Sequence, residues 1–284
     1  MDSNSKNKLV VGLVAGAAVA GLAYYLIFGG HPTKSPQPAH KHKEGSTSLN
    51  SSQSKYFLKD KQYLDIIDRL KVAVESEKLL GKFSKLTLST INKAIFQLFK
   101  SEYLSNYVEN RNLRRKYLSS LVDYSEELFK GSHKSEELME EATNEVLRDL
   151  NIDKKLYENE YDRVSHEDSN FQMFNIYMLE SLKTQVISKS NVKLTKESLV
   201  EYFKYQASIY NNFNFNELRE LTPDNLLLCK QSYICDHAAV KFGIEEEDII
   251  REPLLLHDPE VDDVHRQLQS KFVNDKQNSI SFPY

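Results

Sequence analysis

Leu9–Phe28, reading LVVGLVAGAAVAGLAYYLIF, is a run of 20 residues without a single charge. As a helix rising about 1.5 Å per residue it matches the ~30 Å thickness of a hydrocarbon core. A helix satisfies its own backbone groups, so such a run is tolerated in lipid without a partner. Tyr24 and Tyr25 stand near one end, where amphipathic rings favour the interface, and Gly29-Gly30 closes the run. The nearest rival is a cleaved signal peptide, because Ala18-Val19-Ala20 has the small-residue form of a cleavage site. Cleavage there would leave a chain beginning inside apolar sequence. A transit peptide would be Arg-rich and amphipathic, whereas residues 1–30 hold no Arg and are apolar all round. The expectation is an uncleaved, single-pass transmembrane anchor over 9–28, behind a short polar amino terminus over 1–8.

Gly12 and Gly16 form a G-x-x-x-G pair, extended by Ala20. Such a small-residue stripe lets a second membrane helix approach closely. Lys6 and Lys8 precede the run and Lys34, Lys41 and Lys43 follow it, a basic bias too small to set orientation firmly. It leans toward a body on the cytosolic side or its organellar equivalent. An Ala/Gly-rich anchor flanked by Lys is similar to the amino-terminal anchors of mitochondrial membrane proteins. That likeness implies a mitochondrial membrane, with the ER or another endomembrane as the alternative.

Residues 29–55 read as a tether. They contain Pro32, Pro36 and Pro38, the Ser/Thr-rich stretch 45–54, and no apolar periodicity. His31, His40 and His42 beside Lys41 and Lys43 suit a solvated basic stretch next to a membrane better than a metal site. Asn50-Ser51-Ser52 is a glycosylation sequon, meaningful only on a lumenal side. Charge divides at the same place. Residues 1–55 carry six Lys against Asp2 and Glu44, and the remainder carries 31 basic against 39 acidic residues. A body of that sign is a poor nucleic-acid binder, because phosphate attraction supplies most non-specific affinity. Two Cys exclude a disulfide scaffold.

From residue 56 the apolar spacing is helical and strand-like alternation is almost absent, so the body is expected to be all-α. Two halves, 56–155 and 173–284, are expected around a polar connection at 156–172. Tyr63, Ile67, Leu70 and Val74 mark one face, stopped at Gly81. Ile91, Ile95, Leu98 and Phe99 mark a second helix, capped by Thr87 or Ser89. Leu113, Tyr117, Leu121 and Leu128 suggest a third that ends at Gly131, and Leu138, Ala142, Val146 and Leu150 a fourth. Phe174, Met178, Leu182 and Val186 resume the spacing, followed by Leu199, Phe203 and Ala207. Thr222-Pro223 opens a further helix that runs to Gly243.

Lys85-Leu86-Thr87 recurs as Lys193-Leu194-Thr195, each copy reading helix, polar turn, helix. That skeleton resembles an EF-hand pair. The ligand positions hold Leu79, Gly81, Phe83 and Thr90 in one copy and Ile187, Lys189, Asn191 and Ser198 in the other. Calcium needs several carboxylates there, so neither copy is expected to bind it.

Three constellations invite chemistry. Cys229 and Cys235 with His237 lack the close pairing of a zinc site, and as buried thiols they need no ligand. His257-Asp258 after a greasy run is similar to the motif of HD-type metal-dependent phosphohydrolases, with His237 in the place of the first histidine. That resemblance covers about 30 residues and implies a metal at His237, His257 and Asp258. The same residues have a second reading: Asp258-Pro259-Glu260 is a helix start, with Asp as N-cap and Pro at the first position. Arg111, Arg114 and Arg115 share a helix face and suit an acidic partner or a lipid headgroup, or simply a solvated face. No phosphate loop, dinucleotide fingerprint, H-E-x-x-H or G-x-S-x-G is present.

These observations favour a non-enzymatic, membrane-anchored accessory or scaffold subunit that works by protein–protein contact without a cofactor. Its expected partners are the lipid bilayer and other subunits of a membrane complex, not nucleic acid. A membrane-tethered docking or import receptor is the alternative, and the hydrolase a remoter one.

Overall fold

The computed structural model describes residues 57–186 and 192–280. Among them every regular element is helical and no strand occurs: α1 (Lys61–Leu79), α2 (Lys85–Arg114), α3 (Leu121–Asp149), α4 (Lys154–Glu167), α5 (Ser169–Lys183), α6 (Lys196–Asn212), α7 (Pro223–Phe242), α8 (Glu246–Arg251), α9 (Pro253–Leu256) and α10 (Pro259–Ile280). None of these helices is long and apolar enough to cross a membrane. The run Leu9–Phe28, with Gly12, Gly16 and Ala20, lies outside the described residues, as does the tether.

The described chain forms two compact units. The early unit holds residues 57–102 and 138–175, the late unit residues 103–137 and 176–280. The expected halves followed the chain, whereas each unit draws on two separate stretches.

In the early unit, Asp60 caps α1 by accepting from the Tyr63 N–H at 2.8 Å. Tyr63, Ile67, Leu70 and Val74 are all buried, as their spacing required. Ile91, Ile95, Leu98 and Phe99 of α2 are buried too, as are Leu138, Ala142, Val146 and Leu150. Helix α2 starts earlier than expected. Ser84, not Thr87 or Ser89, supplies the cap, its hydroxyl oxygen taking the Thr87 N–H at 3.1 Å. The two K-L-T copies therefore differ: Thr87 lies inside the first turn of α2, whereas Thr195 is itself the N-cap of α6. Residues 156–172, expected as a polar connection, are helical, for all but Asp168 lie in α4 or α5. The buried face of α4 is Tyr157, Glu160, Val164 and Ser165. A carboxylate and a hydroxyl in that face erase the apolar period on which the sequence reading depended.

In the late unit, α6, α7 and α10 pack on one another. Leu199, Phe203, Ile234, Ala238, Val261 and Leu268 form the centre of one cluster. Leu121, Tyr124, Leu128, Leu218, Cys229 and Tyr233 form a second. Thr222 caps α7 with Pro223 at its first position, and Gly243 ends it at φ 68°, the left-handed region where Gly is favoured.

Gly131 behaves differently from the expected stop. Helix α3 runs straight through it, and a Cβ there would lie 2.1 Å from Asn110 Cγ. The missing side chain makes room for Asn110, whose amide donates to the Glu127 carbonyl at 2.6 Å. The expected break falls instead at Arg115–Tyr117, a single 3₁₀ turn between α2 and α3. It leaves Leu113 half-buried and Tyr117 exposed, so neither joins the face of Leu121 and Leu128.

Candidate functional site

The densest group of ionisable side chains in the late unit forms around the three arginines. Arg111 and Arg114 close α2, and Arg115 opens the 3₁₀ turn. Their partners come from α7 and α8, which the left-handed Gly243 joins by a tight turn. Arg111 Nη1 lies 2.9 and 2.8 Å from the two carboxylate oxygens of Glu247. Arg114 Nε donates to Asp236 Oδ2 at 2.6 Å, and Arg115 Nε to Asp236 Oδ1 at 2.9 Å. The two Arg115 Nη groups reach Glu245 at 2.7 Å each, a bidentate pair. The Tyr124 hydroxyl donates to Asp236 Oδ2 at 2.7 Å. Lys183 Nζ stands 3.7 Å from Glu246 Oε1, and Tyr107 lies under both Lys183 and Arg111.

Burial raises the cost of every charge here, and pairing decides each outcome. For Asp236, burial pushes the carboxyl pKa up, but Arg114, Arg115 and the Tyr124 hydroxyl outweigh it and hold the group below its ordinary value. Glu245 is lowered in the same way by Arg115 and Arg111 against its burial. Glu247 goes the other way: burial wins over Arg111, and its pKa is raised. Four cations, Arg111, Arg114, Arg115 and Lys183, meet four carboxylates, Asp236, Glu245, Glu246 and Glu247. The group is close to neutral by itself and offers no surplus charge to an outside anion.

Acids of the same chain therefore account for the arginines that the sequence offered to an external acidic partner or headgroup. Their shared face was visible in the i, i+3, i+4 spacing. Asp236, Glu245, Glu247, Lys183 and Tyr124 escape a reading of apolar spacing, and the one available signal is the acid run at 245–248, which begins two residues after the helix-ending Gly243.

The proposed metal trio is not assembled into a recognisable centre. Among the described residues no group of three or more His, Cys, Asp or Glu side chains is placed to hold a metal ion. Asp258 is occupied as a helix cap. Its Oδ1 accepts the Glu260 N–H at 3.0 Å, its carbonyl accepts from Asp262, and Lys196 stands 3.3 Å away. His257 caps the end of α9. His237 packs edge-on against Tyr233 at 4.4 Å, and burial pushes its pKa down. Cys229 and Cys235 are both free, and burial pushes each thiol up to about 12. They stay protonated at neutral pH, so neither is an activated nucleophile. The arrangement can fix helices relative to one another within the late unit, but it holds no activated nucleophile.

Comparison with protein-family models, with curated proteins and with solved structures finds no match to this chain.

Proposed function

We propose that the protein is a single-pass, membrane-anchored accessory or scaffold subunit whose helical body works by binding other proteins, with a mitochondrial membrane as its first-choice location. The observation that carries this reading is the uncharged 20-residue run Leu9–Phe28, followed by a Pro/Ser-rich stretch and a helical body. Two features of the late unit support a non-catalytic role: its central charges are matched within the chain, and its thiols are protonated at neutral pH. The apolar run confines the body to a surface, and the intervening stretch sets its reach.

Alkaline carbonate extraction of the native membrane tests the anchor. The full chain stays in the pellet, and a chain starting at Ser46 is soluble. Recovery of the full chain in the carbonate supernatant overturns the reading. Purification in mild detergent, with identification of the proteins that remain bound, then tests the subunit role; a chain recovered alone, in every detergent that keeps known complexes of that membrane intact, counts against it.

A further inference from the structure

The turn between α1 and α2 combines a fixed backbone with outward-facing leucines. Leu79, Leu80 and Leu86 are 89, 80 and 77% exposed. The turn is nevertheless tied down. The Glu77 carbonyl accepts the N–H groups of Leu80 and Lys82, and its carboxylate accepts the Ser84 N–H at 2.7 Å and the Thr87 hydroxyl at 3.0 Å. Phe83 is fully buried, its N–H held by Glu160 at 2.9 Å and its carbonyl accepting from Arg163 at 2.9 Å. Gly81 at φ 63° supplies the left-handed residue that reverses the chain. The leucines therefore stand out from an ordered turn, and little conformational freedom remains to be lost when something covers them.

We propose that this turn dips into the interfacial layer of a phospholipid bilayer as a second contact point of the body. The inference rests on the anchor reading above. Only 28 residues separate Phe28 from Phe57. Fully extended, a stretch of that length spans at most about 100 Å, so an anchored body never leaves the neighbourhood of its membrane. At such an effective concentration, a contact too weak to recruit a free protein is populated. The residues also suit lipid. Lys82 stands exposed between the leucines, with Lys78 and Lys85 close by in the chain; the Lys82 stem can run beside the apolar tip while its ammonium faces headgroups. Lys78 Nζ donates to the Asn151 carbonyl at 2.6 Å and lies near Glu75, and Lys85 pairs with Asp168. With two of the three charges matched locally, the contact is chiefly apolar and depends only weakly on anionic lipid and on salt.

The test uses the full chain in phosphatidylcholine vesicles, with and without phosphatidylglycerol. A polarity-sensitive NBD probe is attached at Lys82→Cys, or at Leu254→Cys, an equally exposed site in the late unit; the parent chain, treated identically, sets the labelling background. The expected result is blue-shifted emission at position 82, quenched by doxyl lipid several-fold more than at position 254, and nearly the same in both lipid mixtures. Adding Leu79→Ser, Leu80→Ser and Leu86→Ser to the Lys82→Cys chain removes the quenching and leaves the helical circular dichroism and the melt unchanged. Water-like emission at position 82, equal quenching at both sites, or quenching that survives the triple substitution overturns the proposal. A blue shift without doxyl quenching also overturns it, and assigns the tip to a protein surface such as a second copy. Carbonate resistance is read on the same vesicles: a resistant chain without quenching loses the tip and keeps the anchor, whereas an extractable chain loses the anchor.

Discussion

Asn92 and Asp236 hold similar positions in their units. Each is buried within a helix, and each joins side chains from other elements, Asn92 from two and Asp236 from three. Asn92 does so with neutral groups: its amide donates to Asn175 Oδ1 at 2.8 Å, and its carbonyl oxygen accepts the Tyr157 hydroxyl at 2.8 Å. Asp236 does so with charge, between Arg114, Arg115 and Tyr124. Elsewhere in the early unit carboxylates act in small separate groups: Asp149 and Glu145 share Lys59, with the Tyr63 hydroxyl also on Asp149, and Glu160 holds Arg163 and the Phe83 N–H. The late unit gathers its charges into one connected group. A neutral bridge that loses one member leaves an amide or hydroxyl unpaired. A buried ionic group that loses one member leaves a charge uncompensated, a much larger penalty.

The sharpest way to break the comparison is Asp236→Asn. It preserves shape and removes the carboxylate shared by two arginines, and is expected to cost ~3–5 kcal/mol. Hydrogen exchange followed peptide by peptide shows the loss over α7, with α1 and α4 much less affected. Equal loss in both units would mean that they do not open separately.

Acid is the next lever. Burial pushes His265, stacked on Phe203 at 4.5 Å, down to about 4. A depressed pKa favours the neutral imidazole in the folded state. Its stabilisation is complete above the unfolded value near 6.5 and is lost as pH falls from there toward 4, by on the order of 3 kcal/mol. His237 is shifted in the same direction. Glu247, with its raised pKa, has the opposite sign and returns some stability as pH falls through its folded pKa. The lowered carboxylates of the early unit, Asp149 and Glu160, begin to lose their contribution only when pH falls below their ordinary values of 3.8 and 4.5. Between pH 6.5 and 4.5 the late unit should loosen first, visible as exchange over α6 and α10 after correction for intrinsic rates. His265→Gln flattens that profile.

Asn92→Ala is the counterpart in the early unit. It leaves Asn175 and the Tyr157 hydroxyl short of a partner and costs about 1–3 kcal/mol, with α4 and α5 exchanging faster. A loss as large as that of Asp236→Asn would erase the distinction between the units. The smallest effect belongs to Asp258, a half-buried charge of the late unit. Asp258→Ala removes the cap of α10 and lowers the melt slightly, while Asp258→Ser, which also caps, stays close to the parent. Neither melt responds to EDTA. A chelator-sensitive parent melt, lost in both variants, would restore the hydrolase-like reading.

What the sequence disclosed follows the range of the underlying interaction. Tyr63, Ile67, Leu70 and Val74 repeat within one helix, so a local period exposes them. Thr222-Pro223 is equally local. Glu160 faces the core but is a carboxylate, and a rule based on apolar spacing passes over it. The arginine face could be read because it lies within five residues; its partners lie more than a hundred residues away, where no periodicity reaches. Gly131 and Gly243 look alike in sequence. Only the backbone separates them, one at φ 68° ending a helix and the other inside one.

Gly131 and Asn110 divide a single volume, since a Cβ at 131 would stand 2.1 to 2.6 Å from three atoms of the Asn110 side chain. Asn110 also accepts from Arg114 Nη1 at 3.2 Å, and Arg114 holds Asp236. The empty place at 131 is thus the first member of a mechanical chain that ends in the buried charges. Two positions sharing one slot cannot vary independently: a methyl group gained at 131 demands atoms given up at 110, and a shortened residue at 110 releases Arg114 from one of its guides. Any redesign of this helix pair has to treat the two sites as a single residue distributed over two helices.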